Sequence, residues 1–558
     1  MKKAAIIGAY FVVFWILLPA ALIVSATIVD QVLFDGVPLP AGYRIPGWIL
    51  FISGLLMMLT SVVQFRYYGK EYPVSATPTN IIIRKGVFAV WRHPIYLFTV
   101  LTMAGLAMIL RSKGFIFVML PVLIIAVGWY IWFEEKSLVR RFGKAYEQHR
   151  NLVGLVIPGL HQWLKFIAFP VFKILFNIRV DQKKNIPPAP PFFVVNSHRN
   201  YLDSILISYG LPWPVKPIST YEMFRSKTHR AIFGRLGAIS KKRYTHDTKS
   251  IIAIKNALDQ GYPIGIAPEG ERSWTGKTLT FKPETLRLFL KYKHIPILPV
   301  RIEGNYLLWP RWSPKMLRAK IRICFEEVVH VDEEMTPEEL ENILFEKIQP
   351  RKNIEQPIRC KSKNKIGRLS LVVYRCPVCR TLDALHEIPP GMLRCSNCGC
   401  DIEIDDRFSL TYPWKGGTAV QTIDEVYREI RIGPKDLTQA GTHPADLFIP
   451  PALSGQKLIF ATDGSFFKEQ DNLMVLLGSG PVYLTGTGIS FLHHNELIII
   501  EFTQLESATI ESYYKLQMYV PPEKQLYQIT LKKESVVKWQ DMIVLIMDQS
   551  GLKKPIVR

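Results

Sequence analysis

Four long apolar runs stand at the front of the chain, at 4–29, 45–63, 95–110 and 115–133. Each is long enough to cross a hydrocarbon core of about 30 Å, the third only just. The first run carries "VSA" near its end, loosely like a signal-peptide cleavage site. Its apolar core is too long for a signal and a second span follows, so it reads as an anchor. Residues 1–158 are therefore expected to form an α-helical polytopic membrane domain of four spans. Over 159–185 the pattern turns basic and aromatic, with Trp163, Phe166, Phe169, Phe172 and Phe176 set among lysines and interrupted by Pro170. Such a stretch suits the membrane interface. Between 186 and 350, short apolar strands alternate with polar, helix-like stretches, the pattern of an α/β domain. A Lys-rich linker at 351–373 leads to a cysteine cluster at 374–404. The remainder, 405–558, is mainly alternating β text such as "PVYLTGTGISF" and "KQLYQITL", closed by an apparent helix. The expected fold class is thus multidomain, with helical membrane, α/β, zinc-ribbon and mainly-β parts.

Charge adds an orientation. Among 558 residues, 69 Lys and Arg stand against 47 Asp and Glu, a net charge of +22, while 48% of residues are hydrophobic. Lys2 and Lys3 precede the first span, and the loop to the second holds Asp30 and Asp35 against Arg44. Arg66, Lys70, Arg84, Lys85 and Arg92 follow the second span, and Arg140, Arg141 and Lys144 follow the fourth. The positive-inside rule then places both chain ends and the soluble domains on the cytoplasmic face, a plasma membrane if the cell is bacterial, with Arg111 and Lys113 weighing mildly against it. So basic a body suits an anionic lipid surface. A polytopic anchor argues against nucleic acid as the partner.

Candidate chemistry begins at "NSHRNYLD", where His198 and Asp203 lie five positions apart after the apolar run "FFVV". On one continuous helix they would point about 140° apart and not meet. They meet if His198 sits in a strand-to-helix turn and Asp203 in the first helical turn. A carboxylate on one imidazole nitrogen fixes the tautomer and leaves the other nitrogen to take a proton from an attacking hydroxyl. Further strand-like runs follow: "YPIGIA" ends in "PEGERSWTGK", and "HIPILPVRIEG" comes after it. "GAISKKR" lies before both. In an open α/β sheet, loops at the carboxyl ends of neighbouring strands converge on one crevice. Gly270 allows close backbone approach, and Arg243 and Arg272 offer bidentate donors for phosphate.

These blocks in this order resemble the glycerolipid acyltransferase family, which includes 1-acylglycerol-3-phosphate acyltransferases. The resemblance spans roughly 160–330 and rests on His198, Asp203, Gly237, Arg243, Glu269, Gly270, Arg272, Ser273 and Pro299. It departs at Glu271, where the family usually has threonine. The resemblance implies acyl transfer from acyl-CoA or acyl carrier protein to a lysophospholipid hydroxyl, most simply lysophosphatidate to phosphatidate. His198 would be the base and Asp203 its orienting partner. Gly237, Arg243, Glu269, Gly270, Arg272 and Ser273 would shape the acceptor-phosphate and oxyanion region.

In the membrane part, "RHPIY" at 92–96 and "EEKSLVRRFGKAYEQHR" at 134–150 resemble the isoprenylcysteine carboxyl methyltransferases and their phospholipid-methylating relatives. The resemblance implies S-adenosylmethionine held by Arg92, His93, Pro94, Tyr96, Glu134 and Glu135, with Phe142, Gly143 and Tyr146 completing the pattern. Two positions depart: Phe98 and Leu155 stand where the family has glycine and arginine, and a ring at 98 is expected to crowd a cofactor. An inactive, fold-preserving anchor is the rival expectation.

Seven cysteines complete the inventory. "CPVC" and "CSNC" place Cys376, Cys379, Cys395 and Cys398 as two knuckles able to hold a structural zinc. Cys360 and Cys400 are spare. The β-rich tail with Trp539 on its last helix resembles a pleckstrin-homology-like module. Three functions follow as expectations: a membrane acyltransferase acting on lysophospholipid, a lipid methyltransferase alone or in tandem, and a non-catalytic membrane scaffold.

Overall fold

The computed structural model describes residues 8–73, 81–84, 86–155, 160–242, 247–351, 357–388, 391–436, 450, 453, 458–471, 473–493, 496–521, 525–532 and 534–552. They form two compact units: Met1–Phe169 with Pro212–Pro214 and Asn256–Tyr262, and the rest of the chain.

Three helices of the first unit are long and apolar enough to cross a membrane: Gly8–Leu33, Ala41–Gly69 and Phe115–Phe142. The remaining expected span is the helix Pro94–Leu110, of 17 residues. At 1.5 Å per residue it is about 26 Å long, short of a full crossing. It runs antiparallel against Ala41–Gly69 through small residues. Gly47 faces Met108, Gly54 faces Thr102, and a Cβ on Gly105 would stand 2.4 Å from the Phe51 amide nitrogen. Hydrophobic burial cannot drive association inside lipid, so close backbone contact at glycine does. The outward faces are apolar: Ile45 and Ile125 are each 72% exposed, which a bilayer would cover.

The second unit begins with a seven-stranded sheet: β1 (Arg179–Asp181), β2 (Phe193–Asn196), β3 (Lys216–Thr220), β4 (Ile239–Lys241), β5 (Ile264–Ile266), β6 (Ile297–Glu303) and β7 (Arg322–Phe325). Their order is β1-β7-β6-β2-β5-β3-β4. The strands from β6 to β4 are parallel, and β7 runs against β6. Every residue of β2, β5 and β6 is buried. Unbroken apolar runs are what a parallel sheet covered on both faces requires. The runs "FFVV", "YPIGIA" and "HIPILPVRIEG" are therefore three adjacent strands whose carboxyl ends open on one side.

Two further sheets follow. β8 (Leu385–Ile388), β9 (Met392–Cys395), β10 (Asp401–Ile404), β11 (Ser409–Trp414) and β12 (Gly417–Thr422) make an antiparallel meander. A helix, Ile423–Ile430, then starts with a Thr422–Glu425 capping box. Ile366, Leu369, Val372 and Val373, which precede the first cysteine pair, are buried in the same core. The last sheet holds β13 (Leu458–Gln470), β14 (Leu473–Thr485), β15 (Gly488–His493), β16 (Glu496–Glu501), β17 (Ser507–Ser512), β18 (Lys515–Val520) and β19 (Gln525–Thr530), all antiparallel. Its core takes the indole of Trp539, fully buried on the terminal helix Val536–Gln549.

Candidate functional site

β2 ends at Asn196, and the chain turns through residues 197–202 before the helix Asp203–Gly210 begins. His198 is in that turn and Asp203 opens the helix, so the two meet: His198 Nδ1 lies 3.0 Å from Asp203 Oδ2. A carboxylate only accepts here, so in the neutral imidazole Nδ1 is the donor and Nε2 the acceptor. The imidazole is 30% exposed and the carboxylate 3%. Asp203 is itself fixed. Oδ2 accepts the backbone amides of Arg199 and Asn200, each at 2.9 Å, and Oδ1 accepts Asn305 Nδ2 at 2.8 Å. The Asn200 side-chain Nδ2 donates in turn to the Asn305 backbone carbonyl at 2.7 Å.

β5, next to β2, delivers the second block. Glu269 is fully buried. Its carboxylate accepts Ser197 Oγ at 2.7 Å, the His198 amide at 2.5 Å and the Leu279 amide at 3.2 Å. Burial pushes the Glu269 carboxyl up to about 7, against the pull of those hydrogen bonds and of Arg199. Both its oxygens are engaged within the protein, where they shape the turn carrying His198. Gly270 sits at φ +70°, the left-handed turn that glycine adopts without a Cβ penalty. The Ser273 amide donates to the His198 carbonyl at 2.9 Å, and Ser273 Oγ accepts the Gly276 amide at 3.0 Å. The Arg272 guanidinium lies over the Tyr201 ring, 3.3 Å from its centroid. Arg272 is 8% exposed, and its Nη1 has no hydrogen-bond partner. Burial, then the nearby charge of Arg311, pushes Arg272 down to about 10, so it remains a cation at neutral pH.

His198, Asp203, Glu269, Gly270, Arg272 and Ser273 thus belong to one cluster. Gly237 does not join it. It turns at φ +71° just ahead of β4, three strands from β2, about 14 Å at ordinary strand spacing. Arg243 lies outside the described residues. Asn200 and Asn305 are the positions that sequence reasoning passed over. Asn305 follows β6, the other neighbour of β2.

The two halves of the membrane motif also meet. Arg92 Nη1 donates to Glu135 Oε1 at 2.5 Å, and Tyr146 Oη donates to the same oxygen at 3.3 Å. His93 lies between the two glutamates, Nε2 at 3.3 Å from Glu135 and Nδ1 at 3.4 Å from Glu134. Arg92, His93, Pro94, Tyr96, Glu134, Phe142 and Tyr146 border a cavity of about 130 Å³. Phe98 is not among its walls; the ring is buried edge-on against Trp91, with centroids 5.2 Å apart.

In the cysteine cluster, the sulfurs of Cys376, Cys379, Cys395 and Cys398 all lie within 4.8 Å of one another. Cys379–Cys395 and Cys376–Cys398 are 3.5 and 3.8 Å apart. A tetrahedron with Zn–S bonds of about 2.3 Å has edges of about 3.8 Å, so the donor set fits a metal of that size. Cys400, expected to be spare, lies 3.5 Å from Cys376.

Comparison with known proteins follows the same division. Residues 177–303 match the family described as Acyltransferase, and residues 43–145 match Phospholipid methyltransferase. The chain joins an acyltransferase domain to a methyltransferase-like domain. The fusion and the enzyme class expected from the sequence are both borne out. A 1-acyl-sn-glycerol-3-phosphate acyltransferase of Limnanthes alba is 23% identical over 236 residues, covering 41% of this chain and 78% of that protein. The Bacillus subtilis protein of the same description is 24% identical over 129 residues, covering 23% and 63%. A crystal structure of the 1-acyl-sn-glycerophosphate (LPA) acyltransferase from Thermotoga maritima aligns with 40% of this chain and 85% of its own, at 22% identity and a TM-score of 0.30.

Proposed function

We propose that the α/β domain moves an acyl chain from a thioester, acyl-CoA or acyl carrier protein, to the free hydroxyl of lysophosphatidate, yielding phosphatidate. The observation that carries this reading is the His198–Asp203 pair, tied through the Ser273 amide to the loop of Arg272, a buried arginine whose Nη1 has no hydrogen-bond partner. Nε2 takes the acceptor's hydroxyl proton as its oxygen attacks the thioester carbonyl. Asp203 supports the imidazolium that forms. Collapse of the tetrahedral intermediate breaks the C–S bond, and the imidazolium returns the proton to the leaving thiolate. Arg272 binds the acceptor phosphate; Glu269, Gly270 and Ser273 hold the turn in shape. The relatives' printed activity favours this substrate, and the three apolar helices in the same chain support work on acyl substrates that partition into a membrane. The basic loops favour the cytoplasmic face. The test supplies the purified full chain in mixed micelles with lysophosphatidate and labelled acyl-CoA or acyl carrier protein. Labelled phosphatidate is expected, and its absence with both donors would refute the assignment.

The cysteine site we read as a structural zinc centre, closed by four thiolates. The membrane cavity supports a second reading, methyl transfer to a lipid. S-adenosylmethionine, when bound, supplies the electrophilic methyl group. Arg92, His93, Tyr96 and Glu134, which line the cavity, would hold it, with Arg92 and His93 themselves fixed by Glu135. Methyl incorporation into lipid, lost in Arg92→Ala, is expected; none in the wild type would leave that domain as an anchor.

A further inference from the structure

Glu271, the position that departs from the acyltransferase pattern, has a partner. Its Oε1 accepts Arg311 Nη2 at 2.9 Å, and both side chains are buried, 5% and 2% exposed. Breaking such a pair by removing one partner leaves an uncompensated buried charge. Arg311 Nη1 donates to the Arg272 carbonyl at 2.9 Å. Its Nη2 also donates to the Ile510 carbonyl, in β17 of the last sheet. The guanidinium lies over the Trp274 ring, 4.3 Å from the centroid, and that indole packs against the cores of both the ribbon and the last sheet. The far side of the loop is tied as well. Thr275 Oγ1 donates to Asp424 Oδ1 at 3.0 Å, and Tyr306 Oη donates to the Trp274 carbonyl at 2.8 Å.

We infer that Arg311 is a positioning residue for the acceptor end of the site, fixing the Arg272 loop to the C-terminal β domain through Glu271 and the Ile510 carbonyl. The inference rests on the proposed role of Arg272 with the acceptor phosphate. A planar guanidinium suits the task because one side chain must reach a carboxylate and two carbonyls at once; an ammonium cannot span them. The last two domains are then part of the acyl-transfer machinery, since they present the arginine that the acceptor meets.

The test compares the wild-type full chain with Arg311→Met and Arg311→Lys, by backbone hydrogen exchange over 271–278 and by steady-state acyl transfer. Expected in Arg311→Met are at least tenfold faster exchange in that loop and a tenfold or larger rise in KM for lysophosphatidate. The KM for the acyl donor stays within threefold, and Arg311→Lys falls between. Asp424→Asn, a milder change on the other side of the loop, is the second variant should Arg311→Met not fold; it is expected to shift both readouts the same way, by about threefold. Faster exchange with an unchanged acceptor KM in an active enzyme would overturn the inference and leave the proposed function standing. Equal loss toward donor and acceptor would also overturn it, marking a general structural role. A wild type that transfers no acyl group would remove the proposed function and the inference with it.

Discussion

Asp203→Asn isolates the electrostatic part of the proposed mechanism. The carboxylate accepts four hydrogen bonds: from His198, two backbone amides and Asn305. An asparagine oxygen placed at Oδ2 keeps three of them, and its amide nitrogen then faces the Asn305 donor. The turn should survive, with His198 still held but no negative charge behind it. A carboxylate about 4 Å from the centre of charge of an imidazolium is worth about 4 kcal/mol at an effective dielectric of about 20. The advantage of a charge-assisted hydrogen bond over none is about 1.5–3 kcal/mol. Taking about 3 kcal/mol, kcat should fall about 150-fold. Asp203→Ala is a poorer probe, since it strands two buried amides and mixes destabilisation with catalysis. The assay is initial-rate acyl incorporation at saturating acceptor and donor, alongside a thermal-melt check of folding. A kcat within threefold of wild type in a folded variant would refute the role given to the aspartate.

Glu269 yields a pH-dependent prediction. Its folded-state pKa is raised by burial, from the ordinary carboxyl range to about 7. Its contribution to stability is therefore fully present below about 4.5 and lost as pH rises through about 7. Glu269→Gln cannot ionise, so its stability relative to wild type should climb by about 2 kcal/mol between pH 5 and pH 7.5, read from thermal melts in detergent; a flat difference would contradict the buried, proton-linked carboxyl. Metal analysis should find one zinc per chain, falling below half in Cys395→Ser. Because metal binding at such a site is folding free energy, a strong chelator should lower the melting temperature of wild type and not of that variant, whereas equal responses would exclude a structural metal.

The α/β core was readable because strands buried on both faces read as mostly apolar runs, as β5 and the first residues of β2 and β6 do. The His198–Asp203 contact followed from where a strand must give way to a helix. Asn305 was hidden for a different reason: it reaches Asp203 across 102 positions of sequence, and nothing in its neighbourhood marks a polar residue as an orienting group. Gly237 lies just ahead of the edge strand β4, a position that the order of motif blocks along the chain does not reveal. The helix Pro94–Leu110 illustrates that apolar length and span are separate properties. Its glycine-lined packing is fixed by its pairing with Ala41–Gly69, and a hydropathy profile does not show which helices pair. Glu271 read only as a departure from a pattern, because its partner Arg311 acquires meaning through a carbonyl of a distant strand.

The most direct test compares wild type with His198→Ala in mixed micelles, following labelled acyl thioester into phosphatidate. The expected result is loss of at least a thousandfold in kcat with an unchanged melting temperature. Equal incorporation by the two proteins would contradict the assignment of His198 as the base.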